Sequence, residues 1–103
     1  MDRDEIYLNQ FIWDKNKAAT NKKKHHVSFE LAVRIFNDPA LFVVYDEENS
    51  TDEDRELYIG ICDNICTVLT VSATDRDDYI RIISARKATK KEVDIYEKNR
   101  KRL

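Results

Sequence analysis

Two alternating runs between Arg55 and Ala73 constrain this chain most. Arg55 to Cys62 sets Leu57, Ile59 and Ile61 against Tyr58 and Gly60, and Ile65 to Ala73 sets Ile65, Leu69 and Val71 against Cys66, Val68 and Thr70. A period of two is the signature of extended strands whose faces meet different surroundings. Asp63-Asn64 lies between the first two runs as a tight hairpin turn, because both residue types tolerate positive φ. Asp75 to Asp78 makes the next turn, and Tyr79 to Ala85 the final strand. Leu41 to Tyr45 is short, β-branched and aromatic, so it reads as another strand ahead of an acidic loop over Asp46 to Asp54. Strands joined this closely pair antiparallel.

Helix signals flank the strands. Asp14 is placed to cap a helix over Lys15 to His25, because a short carboxylate accepts from otherwise orphaned amides. Ser28, preceded by the apolar Val27, starts a second helix to about Asn37, with Phe29, Ala32, Ile35 and Phe36 at core-facing spacing. Asp38-Pro39 stops it. Thr89-x-x-Glu92 is a capping-box signature opening a last helix through about Arg100, with Val93 and Tyr96 inward. Residues 1 to 10 have no clear period, and Ile6-Tyr7-Leu8 reads as an edge strand continuing to Phe11. The order predicts an α+β fold, two N-terminal helices and one C-terminal helix against one mainly antiparallel sheet, in a single domain over 1–103.

Charge is segregated along the chain although its net value is only -2. Asp14 to His26 holds five lysines against one aspartate, Asp38 to Glu56 eight acids against one arginine, and Arg76 to Leu103 ten basic residues against five acids. If the two basic segments meet in space they form a patch that attracts phosphate; otherwise each is a solvated helix face. No apolar run approaches the ~20 residues that span a bilayer, and MDRDEIYLNQ lacks the apolar core of a secretion signal, so a cytoplasmic location without membrane contact is expected. Cys62 and Cys66 then read as free thiols, and a zinc site joining them to His25 and His26 has poor spacing.

Phe11-x-Trp13-Asp14, Lys17-x-x-x-Asn21-x-x-Lys24-His25 and Val27-x-Phe29-Glu30-x-x-Ala32 follow one another without a break. Further on come Arg55 with Gly60, Arg81-Ile82-Ile83-Ser84-Ala85-Arg86-x-Ala88, then Glu92 and Tyr96. Together these resemble the BrnT family of bacterial ribonuclease toxins, across roughly Phe11 to Tyr96. The resemblance implies a type II toxin with a fold similar to RelE. It also implies RNA cleavage without a metal or other cofactor, and neutralisation by a BrnA-type antitoxin in a hetero-oligomer, with operator DNA met only through that antitoxin. In one place the chain departs from the pattern: where relatives often carry a histidine before a serine, it has Asn49-Ser50.

Metal-free RNA cleavage needs a base for the ribose 2′-hydroxyl, an acid for the leaving 5′-oxygen and cations for the phosphate charge. His25 suits the proton transfers, being a histidine inside a lysine cluster. Lys17 and Lys24 are candidates for phosphate contact, Lys24 also for proton transfer if neighbouring cations depress its pKa, while His26 reads as helix-end structure. Arg55, Arg81 and Arg86 are candidates for transition-state stabilisation through paired guanidinium hydrogen bonds. Arg81 and Arg86 are five apart and reach one site only if the strand ends or bulges near Ser84. Trp13 and Tyr96 are candidates for RNA contact, with core packing as the alternative for each, and Asn21 lies on the same polar stripe as Lys17. The acidic run Asp52-Glu53-Asp54 reads as a hindrance to RNA or a holder of Arg55. A different class of function is a non-catalytic basic module that engages an acidic partner protein, or operator DNA with that partner.

Overall fold

The computed structural model describes residues 4–102, so the expected domain limits at 1 and 103 lie outside it. Ten elements run in order: β1 (Glu5–Leu8), β2 (Phe11–Asp14), α1 (Lys15–His25), α2 (Phe29–Ala32), a 3-10 helix (Val33–Asn37), β3 (Phe42–Tyr45), β4 (Glu56–Cys62), β5 (Thr67–Arg76), β6 (Tyr79–Lys87) and α3 (Lys90–Arg100). The six strands form one sheet ordered β1-β2-β6-β5-β4-β3. All neighbours are antiparallel except β2 and β6, which run parallel. This is the expected α+β class.

The caps work as the residue types require. Asp14 accepts from the Asn16 and Lys17 amides, Ser28 from the Leu31 amide, and Thr89 and Glu92 satisfy each other's backbone in a full capping box. His26 takes the left-handed conformation at φ 61° and its amide donates to the Lys22 carbonyl, closing α1.

Several expectations need correction. The N-terminal edge strand is a hairpin: Asn9, at positive φ, turns β1 back onto β2 instead of letting one strand reach Phe11. The second helix keeps its limits, but from Val33 it tightens to 3-10 winding. The β4–β5 turn uses four residues, Asp63 to Cys66, and the left-handed one is Cys66. The β5–β6 turn shrinks to Asp77-Asp78 because β5 extends to Arg76.

Both faces of the sheet are covered. Phe11, Trp13, Tyr58, Cys62, Leu69, Val71, Ile82 and Ala85 meet Phe29, Ala32 and Ile35 on one face, the larger core. Ile59, Ile61 and Val68 point the other way, towards Ala40 and Tyr96 of α3. Gly60 lies beneath the 3-10 helix, where an added Cβ would be 3.2 Å from the Ile35 Cβ and 3.3 Å from its carbonyl oxygen. Gly60→Ala is therefore expected to cost about 1–2 kcal/mol by overpacking, measured as a lowered denaturant midpoint; an unchanged midpoint would show that the 3-10 segment yields freely. Among the described residues no helix is long and apolar enough to cross a membrane.

Candidate active site

The site is organised by an irregularity in β6. Ser84 pairs with Ser72, but the next pair is Ile82 with Ala73, so Ile83 is an extra residue in the strand. The bulge reverses the alternation, and Arg81, opposite Thr74, comes to share a face with Arg86, opposite Thr70. Thr70 and Thr74 are four residues apart on β5, so the two arginines are separated along the strand by about 13 Å at ~3.3 Å per residue.

Two cavities open on either side of Ile83 and Ser84. One, of about 350 Å³, is lined by Asn16, Lys17, Thr20, Asn21, Lys24 and His25 of α1 together with Ile83 and Ser84. The other, of about 460 Å³, is lined by Asp46, Glu48, Asn49, Arg55, Leu57, Ser72 and Arg86, again with Ile83 and Ser84. The two cavities adjoin at Ile83 and Ser84 as one cleft region, lysines and a histidine lining its α1 side and two guanidinium groups its other side. The stripe predicted on α1 and the downstream arginines do meet.

Arg55 precedes β4 and is fixed by the loop before it. The Asp46 amide donates to the Arg55 carbonyl at 2.9 Å, the Ser50 hydroxyl donates to the Asp46 carbonyl at 2.6 Å, and the Arg55 amide donates to the Ser50 Oγ at 2.9 Å. The Arg55 Nε is buried without a hydrogen-bond partner, and the side chain makes no ion pair among the described residues. The acidic run does not hold it: Glu53 pairs with Arg76 at 3.0 Å, and Asp54 accepts from the Tyr45 hydroxyl at 2.9 Å.

Arg86 is held from α3. Its two terminal nitrogens donate to both Glu92 carboxylate oxygens, at 2.7 and 3.0 Å, and Glu92 also accepts from the Thr70 hydroxyl and the Thr89 amide. Burial alone would raise the Glu92 carboxyl, but the hydrogen bonds from Arg86, Thr89 and Thr70 take it down from 4.5 to about 2. A carboxyl lowered on folding favours the fold above its ordinary value and loses that contribution as pH falls from 4.5 towards about 2. Glu92→Gln, which keeps a capping side chain, should flatten that part of a stability-against-pH curve. Asp38, Asp14 and Asp63, also lowered on folding, supply the remaining slope in the variant; an unaltered curve would mean that Arg86 gains nothing from the charge.

A family described as ribonuclease toxin, BrnT, of type II toxin-antitoxin systems matches residues 13–92. The chain belongs to the BrnT family. No curated protein matches it. Membership makes it a ribonuclease toxin at the level of the family, with an RNA target and an antitoxin partner.

The cleft of this BrnT chain is lined by Lys17, Lys24, His25, Arg55 and Arg86, while three other predicted residues lie elsewhere and Asn21 is spent on the fold. Arg81 pairs with Glu5 at 3.3 Å at the far end of β6. Trp13 is 1% exposed, its ring edge-on to Phe29 at 5.9 Å, so no face is open for base stacking. Tyr96 is equally buried and its hydroxyl donates to Asp38; burial and that carboxylate push the phenol up to about 12. Asn21 lines the cleft floor, but its amide is committed to the backbone of Val27 and Ala85. Core packing wins for the aromatics because Trp13 faces the larger core and Tyr96, on α3, faces Ala40 and Ile59. Cys62 is buried and Cys66 exposed, both free, and the Cys62 thiol lies against the Leu31 carbonyl. Sequence reasoning missed Asp46 and Ser72 as cleft residues. Asp46 sat inside an acidic run that read as loop, and Ser72 has no signal of its own.

Proposed function

We propose that this chain is a metal-independent endoribonuclease that cuts RNA by attack of the ribose 2′-hydroxyl on the adjacent phosphate. The observation that carries this reading is the pair of adjoining cavities around Ile83 and Ser84, one lined by cations of α1 and the other by Arg55 and Arg86. Lys17 and Lys24 engage the RNA backbone, and their exposure on α1 suits contacts that are made and broken with each strand. Arg55 brings an unspent buried donor, so it binds the phosphate oxygens as charge builds there. Arg86, preset by Glu92, offers its remaining surface to the same group. His25 handles a proton at either the 2′-oxygen or the leaving 5′-oxygen. Arg81, tied to Glu5 at a distance, is outside the reacting set. A BrnA-type antitoxin neutralises the toxin by covering this basic cleft in a hetero-oligomer, operator DNA is reached only through it, and the toxin acts in the cytoplasm.

The test is cleavage of RNA by the purified protein in excess EDTA, wild type against His25→Ala. Activity that survives EDTA and disappears in the variant supports the proposal. Loss of activity with EDTA would point to a metal instead. Intact RNA at every concentration of folded protein would favour the non-catalytic module that binds an acidic partner.

A further inference from the structure

Cleavage through a 2′-hydroxyl involves two proton transfers, and the cleft holds only one histidine. His25 stands on the α1 wall. On the opposite wall, beyond Ser84, the proton acceptors among the lining side chains are Asp46 and Glu48. Glu48 is exposed and makes no hydrogen bond or ion pair with another described residue. Asp46 differs in being half-buried and fixed on three sides. Its amide donates to the Arg55 carbonyl, its carbonyl accepts from the Ser50 hydroxyl, and its Oδ2 accepts from the Asn49 Nδ2 at 2.9 Å. Its Oδ1 accepts no hydrogen bond from a described residue, and neither arginine of the cavity spends itself on Asp46 as an ion pair. A carboxylate on a fixed backbone, steadied by Asn49 and lining the same cavity as two guanidinium groups with one oxygen unoccupied, is poised to accept a proton from a hydroxyl brought in with a phosphate.

We propose that Asp46 is the general base of this site and His25 the general acid, an assignment that rests on the ribonuclease reading above. The Asp46 carboxylate takes the proton of the 2′-hydroxyl as the 2′-oxygen bonds to phosphorus. The bond from phosphorus to the 5′-oxygen breaks, and the imidazolium of His25 gives its proton to that oxygen. The products are a 2′,3′-cyclic phosphate and a 5′-hydroxyl, with no other reactant consumed. Base and acid stand on opposite walls, as an in-line displacement with entry and departure on opposite sides of phosphorus requires. Arg55 and Arg86 beside Asp46 offset its repulsion of the phosphate.

Single-turnover cleavage of a short RNA across pH, with kcat, KM and melting temperature recorded, tests the assignment in wild type, Asp46→Asn, Asp46→Glu and Glu47→Gln. Asp46→Asn keeps an oxygen for the Asn49 amide. It should therefore lower kcat about a hundredfold, leave KM and melting temperature unchanged, and abolish the fall of kcat on the acid side of the profile. Asp46→Glu should recover part of the rate and the acid limb, because the carboxylate returns displaced by one methylene. Glu47→Gln, next in the loop and outside the cavity wall, should behave as wild type. Asp46→Asn cleaving at the wild-type rate with its acid limb intact would overturn the assignment and leave the ribonuclease standing. A change confined to KM would overturn it too, making Asp46 a binding residue. A wild-type protein that leaves RNA whole would remove the ribonuclease reading itself and this inference with it.

Discussion

Arg55→Ala is expected to lower RNA cleavage by about 100- to 1000-fold, the usual loss for one preorganised donor to a transition-state oxyanion, while leaving the fold as stable as before or more so. The combination is unusual and follows from one atom. The Arg55 Nε is buried without a hydrogen-bond partner, so in the free protein it carries a desolvation cost of about 1–3 kcal/mol that nothing in the chain offsets. A phosphate oxygen in the cleft would satisfy it. Strain retained for a ligand is what an active site stores, and removing the side chain relieves it. Arg55→Lys should recover only part of the rate, because an ammonium restores the charge without the paired donors. The measurements are single-turnover rates alongside thermal melts. A large drop in melting temperature that parallels the loss of cleavage would show Arg55 to be a structural residue.

Asn21→Ala is expected to destabilise the fold by about 3 kcal/mol, since it would orphan several buried backbone groups at once. The Asn21 side chain donates to the Val27 carbonyl at 3.1 Å and to the Ala85 carbonyl at 2.9 Å, and accepts from the Ala85 amide at 3.1 Å. It is 7% exposed, so water does not replace those bonds when the side chain is cut back. One residue thereby pins α1, the start of the next helix and the strand just past the bulge. Asn21→Asp should be at least as damaging, because the carboxylate would face two carbonyl oxygens with no proton to offer them. Urea denaturation at neutral pH measures both. A shift of less than about 1 kcal/mol in the alanine variant would mean that water enters and takes over the bonds.

These two residues also show how the site could and could not be anticipated. The stripe Lys17, Asn21, Lys24, His25 was visible from helical spacing, and α1 presents it as expected. Spacing alone cannot say which member is consumed by the fold. Asn21 is, because the strand residue it faces, Ala85, falls where β6 has no neighbouring strand to satisfy it on that side. Trp13 and Tyr96 were ambiguous for a related reason: an aromatic ring suits a base stack and a core equally well, and only the covering helices decide. Asp46 lay in a run of acids with nothing to distinguish it until the loop closed beside Arg55.

The sequence by itself determined the local structure. The caps at Asp14, Ser28 and Thr89, the stop at Asp38-Pro39 and the alternation of β4 and β5 are short-range effects, written in neighbouring residues and legible there. It also determined membership of the family through residues spaced along nearly the whole chain. Only the tertiary structure decided what faces what. The bulge at Ile83 turns Arg86 and Arg81 to one face, Glu5 then occupies one of them and Glu92 presets the other, and the loop closed by Ser50 brings Arg55 and Asp46 to the cleft. Those outcomes depend on register between segments far apart in the chain. A register is fixed by the packing of both faces at once, a balance that no single stretch of residues contains.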